Sequence, residues 1–256
     1  MNILIINGSP RGRFSVTLQS CLYLEKRFRQ HRFEYLNVGA GIDGFERDMA
    51  SAAAAFARAG LVIFAYPVYS FLVPAQLHRF VELLKESALP LRGRYVTQLS
   101  TSNHFFDTTA HRFLEDNFHD LGMRVIRGLS AGREDLLRED GRRELEAFLE
   151  YAVYCAENGL YEQAPPRSFY GVGGSKLLRD GTWRMQGLLR ADHLYYKTRG
   201  LYDFPQRQWG RMLGLRLLGA LLRSRRIRRL FGGRMNEGML APYQKVLDRL
   251  PQEGTH

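Results

Sequence analysis

Asn2-Ile3-Leu4-Ile5-Ile6-Asn7-Gly8-Ser9-Pro10-Arg11-Gly12-Arg13-Phe14-Ser15-Val16-Thr17 is the stretch on which the reading of this chain turns. Asn2–Ile6 is a short isoleucine-rich run, stopped by Gly8 and Pro10, as a buried strand would be. Ser15 is a suitable N-cap for a helix over Ser15–Gln30, with Leu18, Leu22 and Leu24 on or near its apolar face. The loop Asn7–Thr17 therefore joins a strand to a helix N-terminus. Such a terminus presents unpaired N–H groups and a partial positive charge, which suits an anion. Ser9, Ser15 and Thr17 add hydroxyls, and Arg11 or Arg13 adds a charged donor. The loop is neither a Walker A sequence nor a Gly-x-Gly-x-x-Gly fingerprint. ATP hydrolysis and Rossmann-type dinucleotide binding lose their main support.

Outward from this stretch, apolar runs alternate with helical patterns. Further strands are expected at Phe33–Val38, Leu61–Tyr66, Tyr95–Ser100 and Arg124–Leu129. Helices are expected at Asp48–Arg58, Pro74–Lys85, Asp107–Leu121 and Arg138–Glu157. Five strands alternating with five helices imply right-handed βαβ units in a doubly wound, five-stranded parallel sheet. Ligands of such sheets sit beyond the carboxyl ends of the strands. Three loops therefore matter most: Asn7–Phe14, Pro67–Val73 and Thr101–Phe106.

The strand followed by Gly-Ser-Pro-Arg and then Ser15-x-Thr17 resembles the flavin-phosphate loop of the NAD(P)H-dependent FMN reductases, a flavodoxin-like family that includes quinone reductases. Val16 stands where relatives often carry Asn, which implies a somewhat altered phosphate site. Tyr66-Pro67-Val68-Tyr69-Ser70-Phe71-Leu72-Val73-Pro74-Ala75-Gln76-Leu77 is similar to the family's Pro-x-Tyr loop and the helix after it. By that resemblance Pro67, Val68, Tyr69 and Phe71 would line the isoalloxazine ring. Thr101, Ser102, Asn103 and His104 would meet the ribityl chain and the pyrimidine edge. A reduced flavin gathers negative charge near N1–C2=O, which N–H groups or a cation such as His104 would stabilise. Ser9, Arg11, Ser15 and Thr17 would hold the phosphate.

The resemblance covers about residues 1–160. It implies FMN as cofactor, NADH or NADPH as donor, and a small acceptor such as a quinone, nitro compound or flavin. An FMN-binding electron-transfer module, docked on a protein or membrane partner, is the alternative. Cys21 and Cys155 are the only cysteines, too few for an iron–sulfur cluster or a disulfide framework. No metal site and no Ser–His–Asp constellation is expected. Met1–Ile6 lacks the basic start of a signal peptide, so the cytoplasm is the expected compartment.

Charge divides the chain. Residues 1–164 carry 19 Lys+Arg against 20 Asp+Glu, a net −1, and residues 165–256 carry 18 against 6, a net +12. The break at Ala164-Pro165-Pro166 marks the expected boundary between the flavin domain, 1–164, and a basic, mainly helical extension, 165–256. Gly171-Val172-Gly173-Gly174-Ser175-Lys176 reads as a turn, since no clear strand precedes it. Within Trp209–Phe231 the apolar stretch Met212–Leu222 is broken by Arg216 and is too short to span a membrane. It suits packing on the core or in a homodimer or higher homo-oligomer. A peripheral helix at the inner face of the membrane, with Arg223–Arg229 on anionic headgroups, is the second reading. Nucleic-acid binding ranks last, because the arginines are not interleaved with stacking aromatics.

Overall fold

The computed structural model describes residues 1–69, 71–87, 89–102, 107–162 and 238–250. The chain divides into two compact units, Met1–Lys176 with Pro242–His256, and Leu177–Ala241. The strands and helices of the sheet belong to the first. Met212–Leu222, the arginine run after it and Gly171–Lys176 lie outside the described residues.

Strand β1 (Asn2–Asn7) leads into helix α1 (Val16–Arg27), then β2 (Arg32–Leu36), α2 (Val38–Arg47), α3 (Ala50–Arg58) and β3 (Leu61–Pro67). Helix α4 (Ala75–Glu86), β4 (Tyr95–Ser102), α5 (Asp107–Asp120), β5 (Arg124–Val125), β6 (Leu129–Gly132) and α6 (Glu139–Glu157) follow. These six strands pair with one another in parallel, in the order β2-β1-β3-β4-β5, with β6 also on β4. This is the flavodoxin-like order, with its switch point between β1 and β3. Right-handed crossovers put α1 on one face, because the chain steps from β1 out to β2. The reversed step from β2 to β3 puts α2 and α3 on the other. Tyr23 of α1 donates to Glu146 of α6 at 2.5 Å, so α6 shares the α1 face.

Ile3, Leu4, Ile5 and Ile6 are at most 1% exposed, as are Leu61 through Tyr66. Strands covered on both faces are apolar throughout instead of alternating, which is why these two runs stand out in the sequence.

Two departures from expectation have physical causes. Helix α2 has no counterpart among the expected helices, since Gly39, Gly41 and Gly44 give it poor intrinsic helicity. Packing supplies what propensity lacks: Phe45 meets Phe80 of α4 edge-on at 5.3 Å, and Val38 is fully buried. The strand expected over Arg124–Leu129 is broken in two. Val96 pairs with Val125 and Leu99 with Leu129, so Thr97 and Gln98 face three residues, Ile126, Arg127 and Gly128. That surplus is a bulge. The Thr97 hydroxyl donates to the Arg127 carbonyl at 2.9 Å, taking the place of a ladder bond. A side chain at Gly128 would lie 2.7 Å from the Gln98 carbonyl oxygen, so the bulge needs glycine there.

Candidate functional site

The loop after β1 is organised from below by Asn7, which is fully buried. Its Nδ2 donates to the Gly12 carbonyl at 3.2 Å and to Asn37 Oδ1 at 3.0 Å, and its Oδ1 accepts from Ser9 N at 3.2 Å. Gly8 N reaches the Ala65 carbonyl at 2.8 Å, carrying β1–β3 pairing past the strand end. The turn closes through Gly12 N to the Ser9 carbonyl at 3.0 Å, with Gly12 at φ +53°. Ser15 then caps α1, its Oγ accepting from Leu18 N at 3.3 Å. That leaves the N–H groups of Val16 and Thr17, in the first turn of α1, without an acceptor among the described residues.

This first turn borders, through Val16, a cavity of about 280 Å³ at the carboxyl ends of β1, β3, β4 and β6. Ser9, Arg11, Ser15 and Val16 line it from the first loop. Pro67, Val68 and Tyr69 come from β3 and its loop, Thr101 and Ser102 from β4, and Arg133 from the end of β6. Tyr69 is 43% exposed, so the cavity opens to solvent beside it. Eight sequence-predicted residues are thus brought together: Ser9, Arg11, Ser15, Pro67, Val68, Tyr69, Thr101 and Ser102.

Thr17 and Phe71 are placed elsewhere. The Thr17 side chain is fully buried, its hydroxyl 2.5 Å from that of Thr101, so it ties α1 to β4 behind the cavity wall. Phe71 sits in a tight turn in which Tyr69 N and Leu72 N each bond the other's carbonyl, at 2.8 and 3.1 Å. Its φ of +77° is the only positive value at a non-glycine among the described residues. Such a conformation costs about 1–2 kcal/mol, and it shapes the loop that presents Tyr69. Asn103 and His104 lie outside the described residues.

Behind the wall, Asp107 at the start of α5 accepts from Ser102 and, at 2.6 Å, from Ser130. His111 Nε2 lies 2.8 Å from Ser100 Oγ, and burial pushes the imidazole down to about 4. Tyr66 OH donates to Gln98 Oε1 at 2.7 Å, while Gln98 Nε2 donates to the His111 carbonyl and to Glu115. These bonds tie the end of β4 to α5 and β6.

Arg133 and Asn7 are the residues that sequence reasoning missed. Arg133 follows the last strand, and the rule that ligands lie past strand ends would have flagged it had that strand been carried beyond Leu129. Asn7 reads in the sequence only as the first residue of the loop. A polar residue ending an otherwise apolar strand was its signal.

The donor set suits a phosphate monoester: two first-turn N–H groups, the hydroxyls of Ser9 and Ser15, and the guanidinium of Arg11. Gly39 of α2 lies so close beneath that an added Cβ would come within 2.2 Å of the Ser9 carbonyl carbon, so the loop is seated on helix backbone. Residues 1–134 match the family model of NADPH-dependent FMN reductases. The chain belongs to that family. It is an FMN-dependent NAD(P)H oxidoreductase, and FMN is its cofactor.

No curated protein matches this reductase in sequence. Among solved structures it is similar to an FMN-dependent NADH-azoreductase from Bacillus anthracis, in complex with FMN (15% identity, 60% of this chain and 99% of that one, TM-score 0.47). It is also similar to the NADH:FMN oxidoreductase EMOB in its apo form (21%, 64% and 91%, TM-score 0.49). A third is FerB, a flavoenzyme NAD(P)H:(acceptor) oxidoreductase from Paracoccus denitrificans (13%, 60% and 97%, TM-score 0.46). Among the described residues no helix of this reductase is long and apolar enough to cross a membrane. Nor does any group of three or more His, Cys, Asp or Glu among them have the placement to hold a metal.

Proposed function

We infer that FMN lies in the cavity across the ends of β1, β3 and β4, with its phosphate on the loop Asn7–Thr17. The nicotinamide donor and a small oxidised acceptor, such as a quinone, nitro compound or free flavin, would use the open side near Tyr69. The observation that carries this reading is the unpaired first turn of α1, at the β1/β3 switch point, with Arg11 beside it.

When bound, FMN supplies the two-electron chemistry. The chain supplies binding and orientation. Val16 and Thr17 N–H groups donate to the phosphate, and Ser15 can add its hydroxyl proton because its oxygen already accepts from Leu18 N. Arg11 offsets the phosphate charge. Pro67 and Val68 form one wall, held to β4 by Val68 N on the Thr101 carbonyl at 3.0 Å. Tyr69 offers an aromatic face at the opening.

Riboflavin provides the test, because it keeps the ring and lacks the phosphate. Titrating the apoprotein should show FMN bound more tightly than riboflavin. Arg11→Gln should shrink that difference by about 1.5–3 kcal/mol, the range for a hydrogen bond to a charged group. Equal binding of FMN and riboflavin by the parent would place the phosphate outside this loop. Steady-state NAD(P)H oxidation with a quinone tests the acceptor class, and flavin reduction without turnover would reject it.

A further inference from the structure

Arg133 enters the cavity from the side opposite the phosphate loop. Its strand, β6, is three positions from β1 in the sheet, with β3 and β4 between. At a spacing of roughly 4.8 Å per strand, that is about 14 Å. A phosphate held by the first turn of α1 therefore lies at the far end of the cavity. The Arg133 side chain has no ion-pair or hydrogen-bond partner among the described residues, so the wall itself does not use this cation.

Its backbone, by contrast, is held on both sides. Arg133 N donates to the Ser102 carbonyl at 2.9 Å, fixing it to the end of β4. Its carbonyl accepts from the hydroxyl of Tyr243 at 3.2 Å, a residue 110 positions later. Tyr243 and Leu247 are 4% and 3% exposed. Gln244 Nε2 donates to Gln19 Oε1 at 2.9 Å, and Lys26 Nζ to the Leu247 carbonyl at 3.0 Å, so this segment is also anchored along α1. One short stretch thus grips the helix that starts the phosphate end and the residue that puts a cation at the other.

We propose that residues 242–250 are a strap that positions Arg133, and that Arg133 stabilises the negative charge FMN acquires on reduction at the end remote from its phosphate. The inference rests on FMN occupying this cavity. In the half-reaction the nicotinamide gives up two electrons and one proton and leaves oxidised. Uptake of these by bound FMN would leave one negative charge, shared over N1–C2=O, until a second proton arrived from water. A cation at that edge favours the reduced form over the oxidised one. Arg133 is then a cofactor-binding residue, and Tyr243 a positioning residue acting through it.

The test is the midpoint potential of the FMN-loaded full-length protein, with dissociation constants for FMN and riboflavin measured alongside. Arg133→Gln should lower the preference for reduced over oxidised FMN about tenfold, which is about 30 mV in a two-electron couple. Oxidised FMN and riboflavin should be weakened equally and little. Arg133→Lys keeps the charge and should keep most of the potential. Tyr243→Phe should shift the potential the same way by roughly threefold, the scale of one neutral hydrogen bond.

An unchanged potential in Arg133→Gln would overturn the role of Arg133, and an unchanged potential in Tyr243→Phe alone would overturn the strap. Weakening of FMN but not riboflavin would assign Arg133 to the phosphate instead. A change confined to the KM for NADPH, with that for NADH unmoved, would assign it to the donor's phosphate. Either result refutes the proposal. If Arg133→Gln fails to fold, the Lys and Phe variants still decide. Failure of the cavity assignment itself would look different, because Arg11→Gln would then leave FMN binding untouched as well.

Discussion

Substituting Gly39 by Ala tests how tightly the phosphate loop is seated. The added Cβ would stand 2.2 Å from the carbonyl carbon of Ser9, 2.3 Å from its oxygen and 2.5 Å from the oxygen of Gly8. Ordinary contact begins near 3.4 Å, so one side must retreat by more than 1 Å. Both sides are backbone. Helix α2 is pinned by the fully buried Val38, and the Ser9 carbonyl is engaged by Gly12 N at 3.0 Å. Overpacking of this kind costs about 1–3 kcal/mol in stability. A loop displaced by about 1 Å can lose on the order of 100-fold in whatever depends on its geometry. FMN affinity is therefore expected to fall by one to two orders of magnitude, read from quenching of flavin fluorescence. Gly41→Ala, two residues along the same helix, is the control. Gly41 has φ −120° and ψ 20°, and nothing lies within 4 Å of an added Cβ. Alanine there should be neutral or stabilise by about 0.4–1 kcal/mol. If Gly39→Ala matched Gly41→Ala in urea unfolding and in FMN binding, the close seating of the loop on α2 would be refuted.

Two further outcomes are expected. Burial holds His111 down to about 4 from 6.5. Between those values the unfolded chain takes up a proton there and the folded chain does not, so stability falls as pH drops through that window. Linkage makes the His111 share about 2 kcal/mol between pH 7 and pH 5. Urea titrations should show that share missing in His111→Gln, and parallel pH profiles for the two proteins would contradict the assignment. Ser102 donates its proton to Asp107, so it should meet the ring of FMN only as an acceptor, most naturally for the imide N–H. N3-methyl-FMN should bind the parent more weakly than FMN does, and Ser102→Ala should narrow the gap. A gap left intact by Ser102→Ala would remove Ser102 from that role.

What the sequence made legible follows from where burial is complete. Ile3–Ile6 and Leu61–Tyr66 are covered on both faces, and a short, unbroken apolar run bounded by Gly or Pro is the mark of a strand buried in that way. Once those strands and their helices alternate, the switch-point rule points to the loops at Ser9 and Pro67 without further information. Features set by packing were harder to see. Three glycines concealed α2, whose existence depends on Phe80 and on contact with the loop below Ser9. The bulge at Ile126–Gly128 concealed the continuation of the last strand, and with it Arg133. The direction of the Thr17 hydroxyl was hidden for a related reason. Sequence puts Thr17 in the first turn of α1, but only helix rotation and the approach of Thr101 decide that its hydroxyl points inward.

The hydrogen-bond directions also give the two ends of one cavity different characters. A serine hydroxyl has a single proton, and its other commitments decide what it can offer a ligand. Ser15 Oγ accepts from Leu18 N, which leaves its proton available, and it stands beside two unpaired N–H groups and Arg11. That end is all donor, and it suits an anion that is charged in every redox state. Ser102 has given its proton to the buried carboxylate of Asp107, so toward a ligand it can act only as an acceptor. A lone pair backed by a carboxylate repels a phosphate and attracts a ring N–H. Asp107 therefore acts on the cavity through Ser102, fixing its polarity without entering the lining. The same carboxylate adds negative potential where a reduced flavin would carry its new charge, which opposes reduction. Arg133, at the end of the neighbouring strand, has the opposite sign. Reduction at that end is then set by a buried anion on α5 and an exposed cation just after β6, the second of which alone is held by the strap.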